Sequence, residues 1–176
     1  PKASVYLVFS EEMKYKPANY LGVDIIGAIL DIVLTEKVRE EQGGTYGVGV
    51  SLSASKRPSP TAGGVISFDC DPERATELKG IIYSEINNLI KDGPSEENLS
   101  KAVKNMIKTR EENRLHNSYW LSTLSRYYNY GIDSNDPRNF DNILQSFTVN
   151  DIKKIASKVF KKADVADIVF MPAEHE

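Results

Sequence analysis

The sequence predicts an α+β fold of two layers, a mostly antiparallel four-stranded sheet with helices packed on one face, and three observations carry that expectation. Short stretches near the start, at 46–54, at 64–70 and at the end have the apolar content and alternation of strands. The stretches between them repeat apolar residues at helical spacing. The resulting order, strand, helix, two strands, several helices, strand, is a ferredoxin-like βαββ(α)nβ plan with extra helices ahead of the last strand. With 176 residues and no internal repeat or linker, residues 1–176 are expected to form a single domain around one core.

Ser4–Phe9 carries apolar residues on both faces, as a central strand does. A long helix, Asn19–Gln42, sets Leu21, Ile25, Ile29 and Val33 on one stripe and Ile26, Leu30 and Leu34 beside it, so it is buried on more than one side. Gly43-Gly44 stops it, because glycine takes the left-handed conformation past a helix end without a Cβ penalty. Tyr46–Ala54 then alternates strictly. Tyr46, Val48, Val50, Leu52 and Ala54 share the face that meets the helices, and Gly47, Gly49, Ser51 and Ser53 leave the other face bare. Arg57-Pro58-Ser59-Pro60 turns the chain into a second strand, Gly64–Cys70, with Ile66, Phe68 and Cys70 inward.

A helix over Pro72–Lys91 buries Ala75, Leu78, Ile82, Ile86 and Leu89 and ends at Gly93-Pro94. Ser95 caps the next, whose stripe is Leu99, Ala102, Val103, Met106 and Ile107. Tyr119–Tyr130 is an aromatic helical stretch with the spacing of a core stripe, and Asp136-Pro137 opens a further helix as N-cap and first residue. Thr148 with Asp151 forms a variant capping box for a last helix with Ile152, Ile155, Ala156, Val159 and Phe160 on its apolar side. Val165–Met171 closes the sheet.

Composition narrows the function. The net charge of −3 arises from 25 acidic and 22 basic side chains, and the basic ones are spread through helices, which argues against a nucleic-acid partner. The longest apolar run, Ile25–Leu34, is interrupted by Gly27 and Asp31 and falls short of the ~18 residues that span a bilayer, so no membrane span is expected. Cys70 is the one cysteine, which leaves no internal disulfide and no cysteine metal cluster. The opening Pro1-Lys2-Ala3 reads as a piece of something longer.

Most candidate chemistry has a plainer explanation. Glu112 and His116 lie one helical turn apart, but no third metal ligand is evident, and His175 sits in the tail. No metal site is therefore expected in this chain. Asp69 and Asp71 share a strand face, yet Asp71-Pro72-Glu73 reads as N-cap, first helical residue and first-turn acid. Gly49-Val50-Ser51-Leu52-Ser53 lacks the second glycine of a nucleophile elbow. The glycine-rich Gly43–Gly49 joins helix to strand, the reverse of a phosphate loop. What remains is Arg39 in the last turn of the long helix and Tyr46 at the opening of the next strand, which a glycine turn brings to one end of the domain. Both are hydrogen-bond donors suited to an oxygen gaining negative charge. A structural role is the alternative, since a helix C-terminus favours arginine and Glu36 or Glu40 is within pairing reach.

Leu30–Val50, an apolar helix ending in Arg39-Glu40, then glycine, Tyr46 and alternating apolar residues, resembles the zinc-free C-terminal half of the pitrilysin/insulinase zinc peptidases, the inverzincins. Nearly the whole element order is similar too, and Asn117–Asp133 (NSYWLSTLSRYYNYGID) resembles a tract of long bacterial envelope members. The resemblance implies a partner half, in the same or another chain, where H-x-x-E-H and a distal glutamate hold zinc. It further implies an unfolded peptide as substrate, with Arg39 and Tyr46 binding the scissile carbonyl and steadying its oxyanion. On that reading the isolated chain has no complete catalytic set and is inactive, and its address is the bacterial periplasm or cell envelope. The alternative is a non-catalytic assembly domain of the same fold, similar to the core subunits of respiratory complexes.

Overall fold

The computed structural model describes residues 2–41 and 47–173, with the backbone alone at 39–41. Strand β1 (Ala3–Glu12) leads into helix α1 (Pro17–Glu41), and strands β2 (Val48–Ser55) and β3 (Thr61–Cys70) form a hairpin. A 3-10 turn at Pro72–Arg74 precedes α2 (Ala75–Lys91), followed by α3 (Glu96–Asn113) and α4 (Asn117–Tyr130). A second such turn at Pro137–Asn139 leads to α5 (Asp141–Ser146), α6 (Val149–Phe160) and the last strand β4 (Asp164–Phe170).

The sheet runs β2-β3-β1-β4 with every neighbour antiparallel, the predicted ferredoxin-like arrangement with helices on one face. β1 is central because both of its edges are paired, to β3 and to β4. Its inward side chains Ala3, Val5, Leu7 and Phe9 are buried, as are Val48 and Leu52 of β2 and Ile66, Phe68 and Cys70 of β3. Against this face lie α1, α2 and α6, whose Leu21, Ile25, Ile29, Leu34, Leu78, Ile82, Ile152 and Val159 share one core. Each such aliphatic side chain contributes roughly 1.5–3 kcal/mol by leaving water.

Caps predicted from sequence form where expected. Ser95 Oγ accepts from Asn98 N at 3.1 Å, and the Thr148–Asp151 box closes both ways, with Thr148 N donating to Asp151 Oδ2 at 3.0 Å and Asp151 N to Thr148 Oγ1 at 3.2 Å. Other expectations are corrected. Tyr6 and Val8, on the second face of β1, are 39% and 36% exposed, so the central strand is buried on one side only.

The aromatic stretch is not a core stripe. No residue of α4 is buried, and Leu121 and Tyr128 are 71% and 81% exposed. The core is already closed by the other helices, and α4 lies outside them, tethered by Trp120 Nε1 to the Arg114 carbonyl at 3.0 Å, Arg126 Nη1 to Ser134 Oγ at 3.2 Å and the Tyr130 ring against Tyr15. The apolar run of α1 is also longer than Ile25–Leu34. Pro17–Val38 has the length and composition to cross a membrane, with mean hydropathy 1.6, and here 61% of that window is buried inside the domain.

Candidate functional site

The C-terminal end of α1 hands the chain to β2 at one end of the domain. The Arg39 backbone lies in the last turn of α1, which ends at Glu41, and β2 begins at Val48. The Arg39 side chain, Tyr46, the glycine pair Gly43-Gly44 and His175 lie outside the described residues. The register assembles what surrounds this end. Val48 faces Phe68, Ser4 faces Asp69, and Ser4 on its other side faces Phe170, so the start of β1 meets the ends of β3 and β4 beside the start of β2.

On the outer sheet face at this end is an open cavity of about 300 Å³ lined by Tyr6, Gly47, Gly49, Ser67, Phe68 and Asp69. Ser4 Oγ donates to Asp69 Oδ1 at 2.6 Å and so fixes the carboxylate. The Tyr6 ring is steadied edge-on by Phe170, with centroids 5.9 Å apart. Gly49, Ser51 and Ser53 are exposed beside it, the bare face that alternation predicts.

The competing chemistry resolves into structural roles. Asp71 accepts from Glu73 N at 3.3 Å with Pro72 at the first position, the predicted cap, and it lies beyond the end of β3, so it does not share a strand face with Asp69. Glu112 and His116 are not one helical turn apart: α3 stops at Asn113, His116 is the N-cap of α4, and Glu112 pairs with Lys108 at 3.7 Å. Among the described residues no three His, Cys, Asp or Glu side chains are grouped to hold a metal ion.

A second cleft, of about 430 Å³ between α1, α3 and α4, is one that sequence reasoning missed; its lining includes Tyr20, Asp24, Met106, Arg126 and Phe140. Burial pushes the Asp24 carboxyl up to about 6, while Arg126 pulls the other way. Tyr20 is buried there, and the Arg126 guanidinium lies 4.9 Å from its ring centroid. An acid set within an apolar helix was the visible signal. A carboxyl whose folded pKa lies above its unfolded value stabilises the fold below the unfolded pKa of 3.8 and loses that contribution as pH rises through about 6. Asp24→Asn is therefore expected to gain about 1–2 kcal/mol at pH 8 relative to its effect at pH 3.5, a figure discounted for the partly open side chain. Urea unfolding at the two pH values checks this, and equal shifts at both would show that Asp24 titrates normally.

Residues 1–106 match the family described as Peptidase M16 inactive domain. A zinc protease PQQL-like of Arabidopsis thaliana is 30% identical over 119 residues, covering 65% of this chain and 12% of that protein. The crystal structure of the periplasmic protease PqqL from Escherichia coli superposes with a TM-score of 0.79 and 19% identity, over 98% of this chain and 19% of its own. The peptidase M16 inactive domain from Pseudomonas fluorescens gives a TM-score of 0.77 and 19% identity, over 94% of this chain and 40% of its own. The chain thus spans 12% of the curated relative it matches and less than half of each of these two structures. A family match over more than half the residues, on a four-stranded antiparallel sheet layered with helices, establishes that this chain belongs to the pitrilysin/insulinase (M16) peptidases as a zinc-free, inactive-type domain.

Proposed function

We propose that this domain is part of the non-zinc lobe of a zinc metalloendopeptidase, where it binds an unfolded peptide and stabilises the oxyanion of the scissile carbonyl. The supporting observation is the hand-over from α1 to β2 in a domain of this family: the Arg39 backbone lies in the final turn of α1, β2 begins at Val48, and Tyr46 precedes it by two residues in the sequence. The zinc-bearing half, with H-x-x-E-H in the same or another chain, supplies a metal-activated water. This chain supplies donors. The Arg39 guanidinium offers a planar fork and Tyr46 a hydroxyl, and both help most when the carbonyl oxygen becomes anionic.

The outer sheet face, lined with glycine and serine on β2, is the surface along which a peptide approaches. α1 serves as the core helix of the domain and not as a membrane span. No nucleic acid takes part, since the basic side chains form no tract. The protein from Escherichia coli is described as periplasmic, and a bacterial periplasm or envelope address is the one we favour here.

An assembly domain of the same fold is the second reading, and the exposed Leu121, Leu124 and Tyr128 of α4 favour it. Arg39→Lys, made in the protein that joins this domain to its zinc-bearing half, separates the two. It keeps the charge and loses the fork, so kcat for peptide hydrolysis is expected to fall about tenfold with an unchanged melting temperature. A parental kcat would assign the domain to assembly.

A further inference from the structure

The outer-face cavity at the start of β2 has a chemistry that selects its occupant. Among the described residues that line it, Asp69 is the charged one. Its carboxylate is oriented by the 2.6 Å bond from Ser4 Oγ, across the β1–β3 pairing that sets Ser4 opposite Asp69. Tyr6 lines the same cavity and offers an aromatic face. The space itself is maintained by glycine. A Cβ on Gly47 would meet nothing within 4 Å among the described residues, and one on Gly49 would make only ordinary contact at 3.6 Å with Ser67 Oγ, a residue that also lines the cavity.

Three ligand classes are disfavoured by these facts. An anion would be repelled by the Asp69 carboxylate. A calcium ion takes six to eight oxygens, and the cavity has one carboxylate with a serine and a tyrosine hydroxyl. A purely apolar group would strip water from a carboxylate without replacing its hydrogen bonds. A cationic side chain satisfies the carboxylate by pairing, lies against the tyrosine ring by cation–π attraction, and extends over a glycine floor.

We propose that this cavity is a subsite for a lysine or arginine side chain of an extended peptide, with Asp69 as its counter-charge and Tyr6 as its aromatic wall. The assignment rests on the peptide-binding reading of the domain and specifies the kind of peptide. Its place beside Gly47, the residue after Tyr46, sets the basic side chain next to the end of the domain where the scissile carbonyl is held under that reading.

The test uses the 176-residue chain and three fluorescent ten-residue peptides of one apolar background, differing at a central lysine, norleucine or glutamate. The lysine peptide is expected to bind about tenfold more tightly than the norleucine peptide, with the glutamate peptide weakest. The preference should shrink as salt rises from 0.05 to 0.5 M, because the pair is solvent-accessible. Asp69→Asn keeps an acceptor for Ser4 and should equalise lysine and norleucine; Gly49→Val should fill the space and do the same. Thermal unfolding of both variants confirms that they fold. Equal binding of lysine and norleucine peptides by the parental chain, or a preference that survives in Asp69→Asn, would overturn the subsite and leave peptide binding standing. Failure of all three peptides to bind would overturn both.

Discussion

Tyr46→Phe, made where the domain is joined to its zinc-bearing half, is expected to lower kcat for peptide hydrolysis by about 10²–10³ while KM changes little. The substitution removes one hydroxyl and leaves the ring, so the side-chain volume is nearly kept. A phenol aimed at a carbonyl oxygen makes an ordinary neutral hydrogen bond in the ground state and a charge-assisted one when the oxygen becomes anionic, and only the difference accelerates the reaction. That difference is about 3 kcal/mol for comparable oxyanion donors. A rise in KM with kcat unchanged would instead assign Tyr46 to ground-state binding, and a parental rate in a normally folded variant would remove it from the site. Stability measured on the same preparation separates these outcomes from misfolding.

Arg39 and Tyr46 stand out in the sequence as an expectation because their spacing is local and glycines separate a helical pattern from a strand pattern. Asp69 was visible only as one of two neighbouring acids. Its position beside Gly47 depends on the β2–β3 register that sets Val48 opposite Phe68, and alternation within one strand does not determine its partner's register. The strand order itself followed from element order, since few topologies accept strand, helix, two strands, helices and strand.

Strand ends were less legible for a similar reason. Ser10, Glu11 and Glu12 break the apolar alternation, yet they pair with Gly63, Ala62 and Thr61, because main-chain bonding needs no apolar side chain. The misreading of α4 has another cause. Helical spacing of aromatics is the same whether the stripe meets a core or solvent, and which one it meets depends on elements distant in sequence. Arg110 shows the same limit. It is 7% exposed because Asp141 Oδ2 and the Ser134 carbonyl, each at 2.6 Å, and the Tyr119 hydroxyl at 3.2 Å all accept from it, and its guanidinium lies over Phe140. Nothing in the helix that carries it announces those partners.

Gly64→Ala is expected to cost the fold about 3–5 kcal/mol, a large fraction of the stability of a domain this size. Gly63 and Gly64 both have φ of +152°, within β3 and between two paired neighbours. A Cβ on Gly64 would run into the Ser51 carbonyl oxygen and lie 2.9 Å from the Leu52 Cα on β2, while one on Gly63 would run into the Phe9 carbonyl oxygen on β1. The obstruction is backbone on each side, and a ladder cannot open at one residue without losing bonds to its neighbours. The positive φ alone costs an L-residue roughly 1–2 kcal/mol, and displacement of β2 adds the remainder. Gly80→Ala is the control. Gly80 is exposed on α2, where a Cβ meets nothing within 4 Å, so that change should stabilise by about 0.5–1 kcal/mol. A shift of β2 against β3 would also move Gly47 away from Asp69, so Gly64→Ala should weaken the lysine preference along with stability. A urea midpoint equal to the parent's would mean that β2 and β3 are not held as closely at Gly64 as the register requires.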